Sequence, residues 1–172
     1  MIDATYTKKV MKYFRHPKNV GRIKNADGFS KVGNALCGDL MQLYIKVGKN
    51  KAGKLIIKDI RFETFGCVAA LATSSMITTL AKGKTIKEAL KISREKIVKS
   101  LGGLPAIKIH CSVLASDALA EAIYDYFSKN NLPISAELQE RHEKIKKETE
   151  EIEKRYKDYI KMEKKIWKLK GK

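Results

Sequence analysis

Residues 55–81 read LIIKDIRFETFGCVAALATSSMITTLA, and this stretch decides the fold. Its first eleven positions are rich in isoleucine and phenylalanine, which predicts a strand over Leu55–Phe65. The small, mostly apolar residues that follow predict a helix over Val68–Ala81, and a glycine two residues later ends it. The two elements are joined by Gly66-Cys67, so a thiol stands where a strand gives way to a helix N-terminus.

Two further strands precede this stretch. The apolar pattern predicts them over Phe29–Leu36 and Leu40–Val47, with the turn Cys37-Gly38-Asp39 between them. The connections are too short for parallel crossovers, so we expect a three-stranded antiparallel meander.

Helices account for most of the remaining chain. Their predicted positions are Tyr6–Arg15, a short helix opened by the capping box at Thr85, Ser93–Leu101, a long helix from about His110 to Phe127, and a final helix capped by Ser135. Strands come first and most helices follow. We therefore predict an α+β fold in which helices pack on one face of a small three-stranded antiparallel sheet, with a long C-terminal helical extension.

The end of the chain differs in character from the rest, so we divide the chain into a main domain, residues 1–132, and a charged helical extension, residues 133–172. One set of residues recurs every seven positions in the extension: Leu138, Ile145, Ile152, Tyr159 and Ile166. A seven-residue repeat predicts one long helix with a narrow apolar stripe. Either the same chain or a second copy could cover the stripe, and i,i+4 charge pairs could also hold a solvated helix. Of these, we expect a homo-oligomer.

The chain is strongly basic, with a formal net charge of +17 at pH 7. Residues 1–134 carry 23 basic and 10 acidic side chains, and residues 135–172 carry 13 and 9, so the excess is not held in a basic tail. A basic surface suits nucleic acid or an acidic partner. No RNA-binding motif accompanies the charge, so we do not predict a nucleic-acid partner.

Composition also limits the cellular compartments in which we expect the protein. A hydrophobic fraction of 44% excludes wholesale disorder, and no apolar run is long enough to span a bilayer. The N-terminus lacks the basic and apolar regions of a secretory signal, and three cysteines cannot all pair with one another. We expect a cytoplasmic protein with no membrane partner.

Three cysteines lie far apart in the chain, each in a setting that suits a metal ligand. Cys37 lies in a turn, Cys67 precedes a helix, and Cys111 follows His110 at the start of another helix. The positive end of a helix dipole favours thiolate over thiol. If Asp39 joins them, the donor set combines soft sulfur with nitrogen and oxygen, as in zinc or iron–sulfur centres. The absence of CxxC pairs argues against a purely structural zinc site.

Three segments resemble the signature blocks of the IscU/NifU-type iron–sulfur cluster scaffold family. They are Cys37-Gly38-Asp39, Thr64-Phe65-Gly66-Cys67 and the run LPAIKIHCSVLA over residues 104–115. The resemblance extends from about Tyr6 to about Asn130. It implies the α+β fold predicted above and a function other than catalysis. In this family a [2Fe-2S] cluster is assembled from iron and sulfur on the protein and then passed to apo-proteins.

The resemblance also implies roles for single residues. Cys37, Cys67 and Cys111 would be ligands, with Asp39 or His110 as the variable fourth group. Cys111, the cysteine after the histidine, would accept sulfur from a cysteine desulfurase, and apo iron–sulfur proteins would be the recipients. The alternative is a zinc-bound sulfur acceptor that works with a cysteine desulfurase, with zinc held in the cluster-free form.

The chain departs from the family pattern in three places. Ala106 and Ile107 replace the second proline and the valine of the chaperone-recognition segment. This weakens the prediction of an Hsp70-type chaperone partner, because a proline-stiffened extended segment is part of that motif. Val68-Ala69 replaces the usual Gly-Ser after Cys67, which makes the helix start more apolar. The extension from about Ser135 is not part of the usual scaffold.

Overall fold

The computed structural model describes residues 6–33 and 38–170, and among these all side chains except those of Tyr156 and residues 158–170. Its centre is a three-stranded antiparallel sheet in the order β1-β2-β3. The strands are β1 Gly28–Gly33, β2 Leu40–Lys49 and β3 Leu55–Phe65. The register pairs Gly33 with Leu40 and Leu40 with Phe65, so these three residues lie side by side at one end of the sheet. We call this the Leu40 end.

Helices make up most of the rest of the described chain. Their bounds are α1 Lys8–Arg15, α2 Val68–Ala81, α3 Ile86–Leu90, α4 Arg94–Ser100, α5 His110–Lys129 and α6 Ala136–Lys170. A single 3₁₀ turn, Ala106–Lys108, stands directly before α5. Across the described ranges, no helix combines the length and the apolar character that a membrane span requires.

One face of the sheet is apolar because inward-facing residues alternate along the strands. In β2 the inward residues Met41, Leu43 and Ile45 are completely buried. α5 packs across β1 and β2, and α2 packs across β3. The close approach of α5 depends on Gly28, since a Cβ atom there would collide with the carbonyl oxygen of Ala122. The predicted α+β architecture, with helices on one face of the sheet, is confirmed.

The other face of the sheet is polar and carries fixed charge pairs. Asp27, directly before β1, accepts hydrogen bonds from Lys46 Nζ (2.7 Å) and from the Val47 N–H (2.8 Å). Partial burial raises the pKa of Asp27, but these two hydrogen bonds outweigh it and hold the pKa below its ordinary value of 3.8. The Asp27 carboxylate therefore joins the chain before β1 to β2.

The bounds predicted for α2 and the predicted N-terminal capping residues of the helices are confirmed. α2 has the predicted bounds. Thr85 and Glu88 form the predicted capping box: Thr85 Oγ1 accepts from the Glu88 N–H (3.2 Å), and Glu88 Oε2 accepts from the Thr85 N–H (2.9 Å). Ser93 and Ser135 accept backbone hydrogen bonds in the first turns of α4 and α6.

Local bounds differ from the prediction in a few places. β1 begins at Gly28 rather than Phe29, and β2 ends at Lys49 rather than Val47. The predicted continuation of β1 over residues 34–36 lies outside the described part of the chain. α1 begins two residues late because Thr7 is its N-cap, accepting a hydrogen bond from the Val10 N–H (3.1 Å). The 3₁₀ turn before α5 was not predicted.

The extension is one helix, and its first half packs on the main domain. Leu138, Ile145 and Ile152 are only 5%, 4% and 3% exposed, and α6 contacts α5 and β1. The same chain therefore covers these three residues of the stripe, and the expectation that a second copy covers them is wrong. The side chains of Tyr159 and Ile166 lie outside the described part.

Polar contacts set the direction of α6. Tyr124 Oη donates to Gln139 Oε1 (3.0 Å). Two residues further along α6, Arg141 donates to Asp117 Oδ1 through Nε (2.9 Å) and Nη2 (2.7 Å). Later residues of α6 thus meet earlier residues of α5. α6 therefore runs antiparallel to α5 and heads for the Leu40 end of the sheet.

α6 reaches that end at Ile152. An ideal Cβ atom built on Gly33 would lie 3.0 Å from Ile152 Cδ1, and Lys31 Nζ lies 2.8 Å from Glu153 Oε1. The helix then continues to Lys170. Since an α-helix rises about 1.5 Å per residue, residues 153–170 add about 27 Å.

Candidate metal centre

Three segments that are distant in sequence meet at the Leu40 end of the sheet. The turn before β2 supplies Asp39, the N-terminus of α2 supplies Cys67, and the start of α5 supplies His110 and Cys111. Four of the five predicted site residues are thus brought together. The fifth, Cys37, lies outside the described residues.

Three donor atoms form a nearly equilateral triangle. The Sγ atoms of Cys67 and Cys111 are 3.7 Å apart, against about 2.05 Å in a disulfide, so no bond joins them. Asp39 Oδ2 lies 3.8 Å from Cys67 Sγ and 3.7 Å from Cys111 Sγ. Thiolates about 2.3 Å from a tetrahedral metal are about 3.8 Å from each other. One metal ion can therefore contact all three atoms.

His110 provides a further donor. A nitrogen of its ring, a carboxylate oxygen of Asp39 and Cys111 Sγ all lie within 4.8 Å of one another. His110 Nε2 is buried and has no hydrogen-bond partner among the described residues. A buried polar atom without a partner costs about 1–3 kcal/mol. A bound ion or ligand that paired with this ring would remove that cost.

The centre is shielded on one side and more open on the other. Cys111 is completely buried and Asp39 is buried, whereas Cys67 is half-buried. Phe65 and Ile107, which lie close in sequence to the donor residues, are 80% and 76% exposed. The cysteine at the head of α2 is therefore the more accessible of the two described thiols.

Small residues allow the two cysteine-bearing helix starts to approach each other. Cys67 is the N-cap of α2, with extended backbone angles of φ −77° and ψ 175°. Ala69 and Ala70, in the first turn of α2, are completely buried and cluster with Cys111. Thr73 Oγ1 donates to the Cys111 carbonyl oxygen (3.1 Å), which joins α2 to α5. This packing sets the distance between the two thiols.

Gly66 makes room for Asp39. A Cβ atom at Gly66 would lie 2.7 Å from Asp39 Cγ and 2.9 Å from Ala70 Cβ, both closer than real Cβ contacts. Space is therefore the reason for the glycine here. Sequence reasoning used Gly66 only as part of a motif, because its clash with Asp39 depends on how a distant turn packs.

Lys108 adds a positive charge to the centre. The charge of Cys67 has the largest effect and raises the pKa of Lys108, and Tyr6, Cys111 and Asp39 act in the same direction. Sequence reasoning missed this role. The available signal was a lysine two residues before the His-Cys pair.

This small α+β domain gathers two thiols, a carboxylate and an imidazole at one end of its sheet, a set of donors that suits a thiophilic metal centre. The chain belongs to the NifU-like N-terminal domain family, whose model matches residues 5–133. α6 begins at Ala136 and lies beyond the matched residues.

Curated relatives agree with the family. The chain is 59% identical over 125 residues to "Iron-sulfur cluster assembly scaffold protein IscU 1" of Archaeoglobus fulgidus, covering 73% of this chain and 78% of the relative. It is 47% identical over 132 residues to "Iron sulfur cluster assembly protein 1" of Encephalitozoon cuniculi, covering 75% and 91%. It is 45% identical over 124 residues to the IscU scaffold protein of Aquifex aeolicus, covering 72% and 77%. The resemblance seen in the three motifs is confirmed.

Solved structures share the fold. The N-terminal part of a NifU-like protein from Brucella abortus matches with a TM-score of 0.56 at 21% identity, covering 74% of this chain and 98% of that one. A chain from Fervidobacterium islandicum AW-1 matches with a TM-score of 0.55 at 24% identity, covering 69% and 96%. At these identities the matches support the fold alone.

Proposed function

We propose that this protein is a scaffold on which an iron–sulfur cluster is assembled and from which the cluster is transferred to apo-proteins. The cluster is cargo, so the protein is a carrier rather than an enzyme. One observation carries the proposal: Cys67 Sγ, Cys111 Sγ and Asp39 Oδ2 lie 3.7–3.8 Å apart, a spacing at which one metal can bind all three atoms. The curated relatives, named as cluster assembly scaffolds, support the same function.

We assign four ligand positions to a [2Fe-2S] cluster. Cys37, Cys67 and Cys111 would supply thiolates, and Asp39 or His110 would supply the fourth group. A carboxylate or an imidazole is a poorer match than thiolate to iron in a sulfide cluster. Such a fourth ligand leaves more readily, which suits a cluster that must be released.

Cys111 is our candidate sulfur acceptor. Its thiolate would attack the terminal sulfur of a persulfide on a cysteine desulfurase, forming a new sulfur–sulfur bond while the donor cysteine leaves as a thiolate. Cys111 is completely buried, whereas Cys67 is half-buried. Direct transfer to Cys111 therefore requires a movement that makes its sulfur accessible. Otherwise Cys67 receives the sulfur first.

Other expectations remain predictions. The same donor set fits zinc in the cluster-free protein, but no observation favours a zinc-bound sulfur acceptor as the main function. The cytoplasmic location and the homo-oligomer also remain predictions, as does an Hsp70-type chaperone partner.

Anaerobic reconstitution with iron and sulfide tests the proposal. Wild-type protein should develop sulfide-to-iron charge-transfer bands in the visible spectrum. Cys67→Ser and Cys111→Ser should each lose most of this absorption, because an alkoxide is a far poorer iron ligand than thiolate at neutral pH. Asp59→Ala, which removes a carboxylate on β3 paired with Lys82 (2.7 Å), is the control and should load normally. Colourless wild-type protein with stoichiometric zinc would contradict the proposal.

A further inference from the structure

A cationic cleft lies along α1, away from the donor atoms of the metal centre. Its volume is about 360 Å³, and it is lined by Lys8, Lys9, Lys12, Tyr13, His16 and Lys18. The surrounding sequence, residues 6–26, holds seven lysines and arginines and no aspartate or glutamate. The charged residues in and around the cleft are therefore all positive, whereas the chain as a whole also carries acidic residues.

The four lysines of the cleft are exposed, and none of them forms an ion pair within the described ranges. Other basic residues of the main domain do find partners, such as Arg22 with Glu63 (2.6 Å). Lys8 and Lys12 are four residues apart on one helix, a spacing at which like charges destabilise the helix. A cluster of adjacent cations without counter-ions is a surface that attracts an anionic ligand.

The walls of the cleft are fixed by hydrogen bonds to the rest of the domain. Thr7 Oγ1 donates to the Leu101 carbonyl oxygen (2.6 Å), which anchors the start of α1. On the opposite wall, the Lys18 N–H donates to Ser75 Oγ in α2 (2.7 Å). Lys18 Nζ lies 6.0 Å from the centre of the Tyr13 ring, inside the cleft. A rigid site loses less entropy when it binds a ligand.

The helix that carries the cleft also contacts elements of the metal centre. Tyr6, two residues before α1, packs against the cluster formed by Ala69, Ala70 and Cys111, and α1 packs against α2, which has Cys67 at its start. A ligand bound in the cleft would therefore lie on a helix that is packed against the same elements as the described thiols.

We propose that this cleft docks an acidic segment of a partner protein, one that delivers sulfur or iron or receives the cluster. The identity of the partner rests on the proposed function, whereas the affinity for carboxylates rests on the cleft alone. Lysine ammonium groups attract carboxylates and phosphates alike, as point charges. A single tyrosine offers no row of rings for stacking successive bases. The cleft therefore supplies the charge that a run of carboxylates needs and lacks the stacking surface that single-stranded nucleic acid needs.

The test uses the full-length protein without iron or sulfide, with a fluorescein-labelled polyglutamate peptide as the probe and fluorescence anisotropy as the readout. We expect binding that weakens as salt is added. Lys9→Glu/Lys12→Glu should weaken it about tenfold, because each reversal replaces an attraction by a repulsion of similar size. Lys51→Glu/Lys58→Glu changes the net charge equally at exposed positions on the β2–β3 hairpin and should weaken it by less than about twofold.

Several outcomes would overturn the proposal. They are no binding by the wild type, equal losses in the two double variants, or tighter binding of a single-stranded oligonucleotide than of the peptide at the same cleft. Circular dichroism checks that both variants are folded. Cluster loading is measured separately, and Lys9→Glu/Lys12→Glu should load like the wild type. If the wild type binds the peptide but loads no cluster, the proposed function fails and the carboxylate-binding cleft stands.

Discussion

Replacing Ile145 by alanine tests whether α6 is an integral part of the folded domain. Ile145 lies in the docked half of α6, is 4% exposed and belongs to the main core cluster. Large-to-small substitution at such a position loses burial and leaves a cavity, which for Ile→Ala costs about 2–5 kcal/mol. Because α6 lies at the surface and can settle inward, we expect the lower part of that range, about 2–3 kcal/mol.

Thermal unfolding followed by circular dichroism measures the effect. In a protein of this size the Tm falls by about 2–4 °C per kcal/mol, so the expected decrease is about 4–12 °C. Ile107→Ala is the control, since it removes the same atoms from a side chain that is 76% exposed. It should change the stability by less than about 0.5 kcal/mol. The difference between the two variants isolates burial against α5 and β1.

Two results would refute the reasoning. A Tm for Ile145→Ala equal to that of the wild type would mean that α6 is tethered rather than docked. A separate, earlier loss of helical signal, followed by a main transition at the wild-type temperature, would mean that α6 unfolds as an independent unit.

Three further predictions concern the centre and the sheet. Gly66→Ala should reduce cluster absorption after reconstitution while the fold is kept, because the new Cβ atom would press on Asp39. Gly48→Ala is the control and should load normally, because its nearest neighbour would be the flexible Lys58 side chain at 3.4 Å. In metal-free protein, mass spectrometry should find Cys67 alkylated before Cys111, and equal rates would show that Cys111 becomes accessible as readily as Cys67. Asp27→Asn should lower the free energy of unfolding at neutral pH. The difference in stability between the variant and the wild type should shrink as the pH falls below about 3.8, through the lowered pKa of Asp27 in the folded state. Urea denaturation at several pH values measures this difference, and a difference that does not change with pH would contradict the prediction.

Much of the fold could be predicted because its signals are local. α2 is a run of small apolar residues between Gly66 and Gly83, so both its ends are marked in the sequence. Serine caps and the Thr85 capping box likewise depend on residues a few positions apart. The 3₁₀ turn Ala106–Lys108 could not be predicted, because a single turn is too short to show a periodic pattern.

The sequence could predict which residues belong to the candidate site, but not the distances between them. The motifs place Cys67 and Cys111 at helix starts, yet the 3.7 Å between their sulfur atoms depends on how α2 packs against α5. The same limit applies to what buries the apolar stripe of the extension. A seven-residue repeat predicts that a stripe exists, but its burial depends on contacts with distant residues, such as the pair formed by Arg141 and Asp117.

The position of α6 relates the added helix to the element that carries two of the predicted donors. It lies beyond the residues that the family model matches, yet it packs along α5, which carries His110 and Cys111 at its start. It also contacts Lys31 and Gly33 of β1, the edge strand of the sheet. We therefore expect α6 to restrain α5 from its second turn onward, where Arg141 contacts Ser116 (3.0 Å). If Cys111 is the sulfur acceptor, as proposed, the added helix would limit how far the rest of α5 can move during transfer.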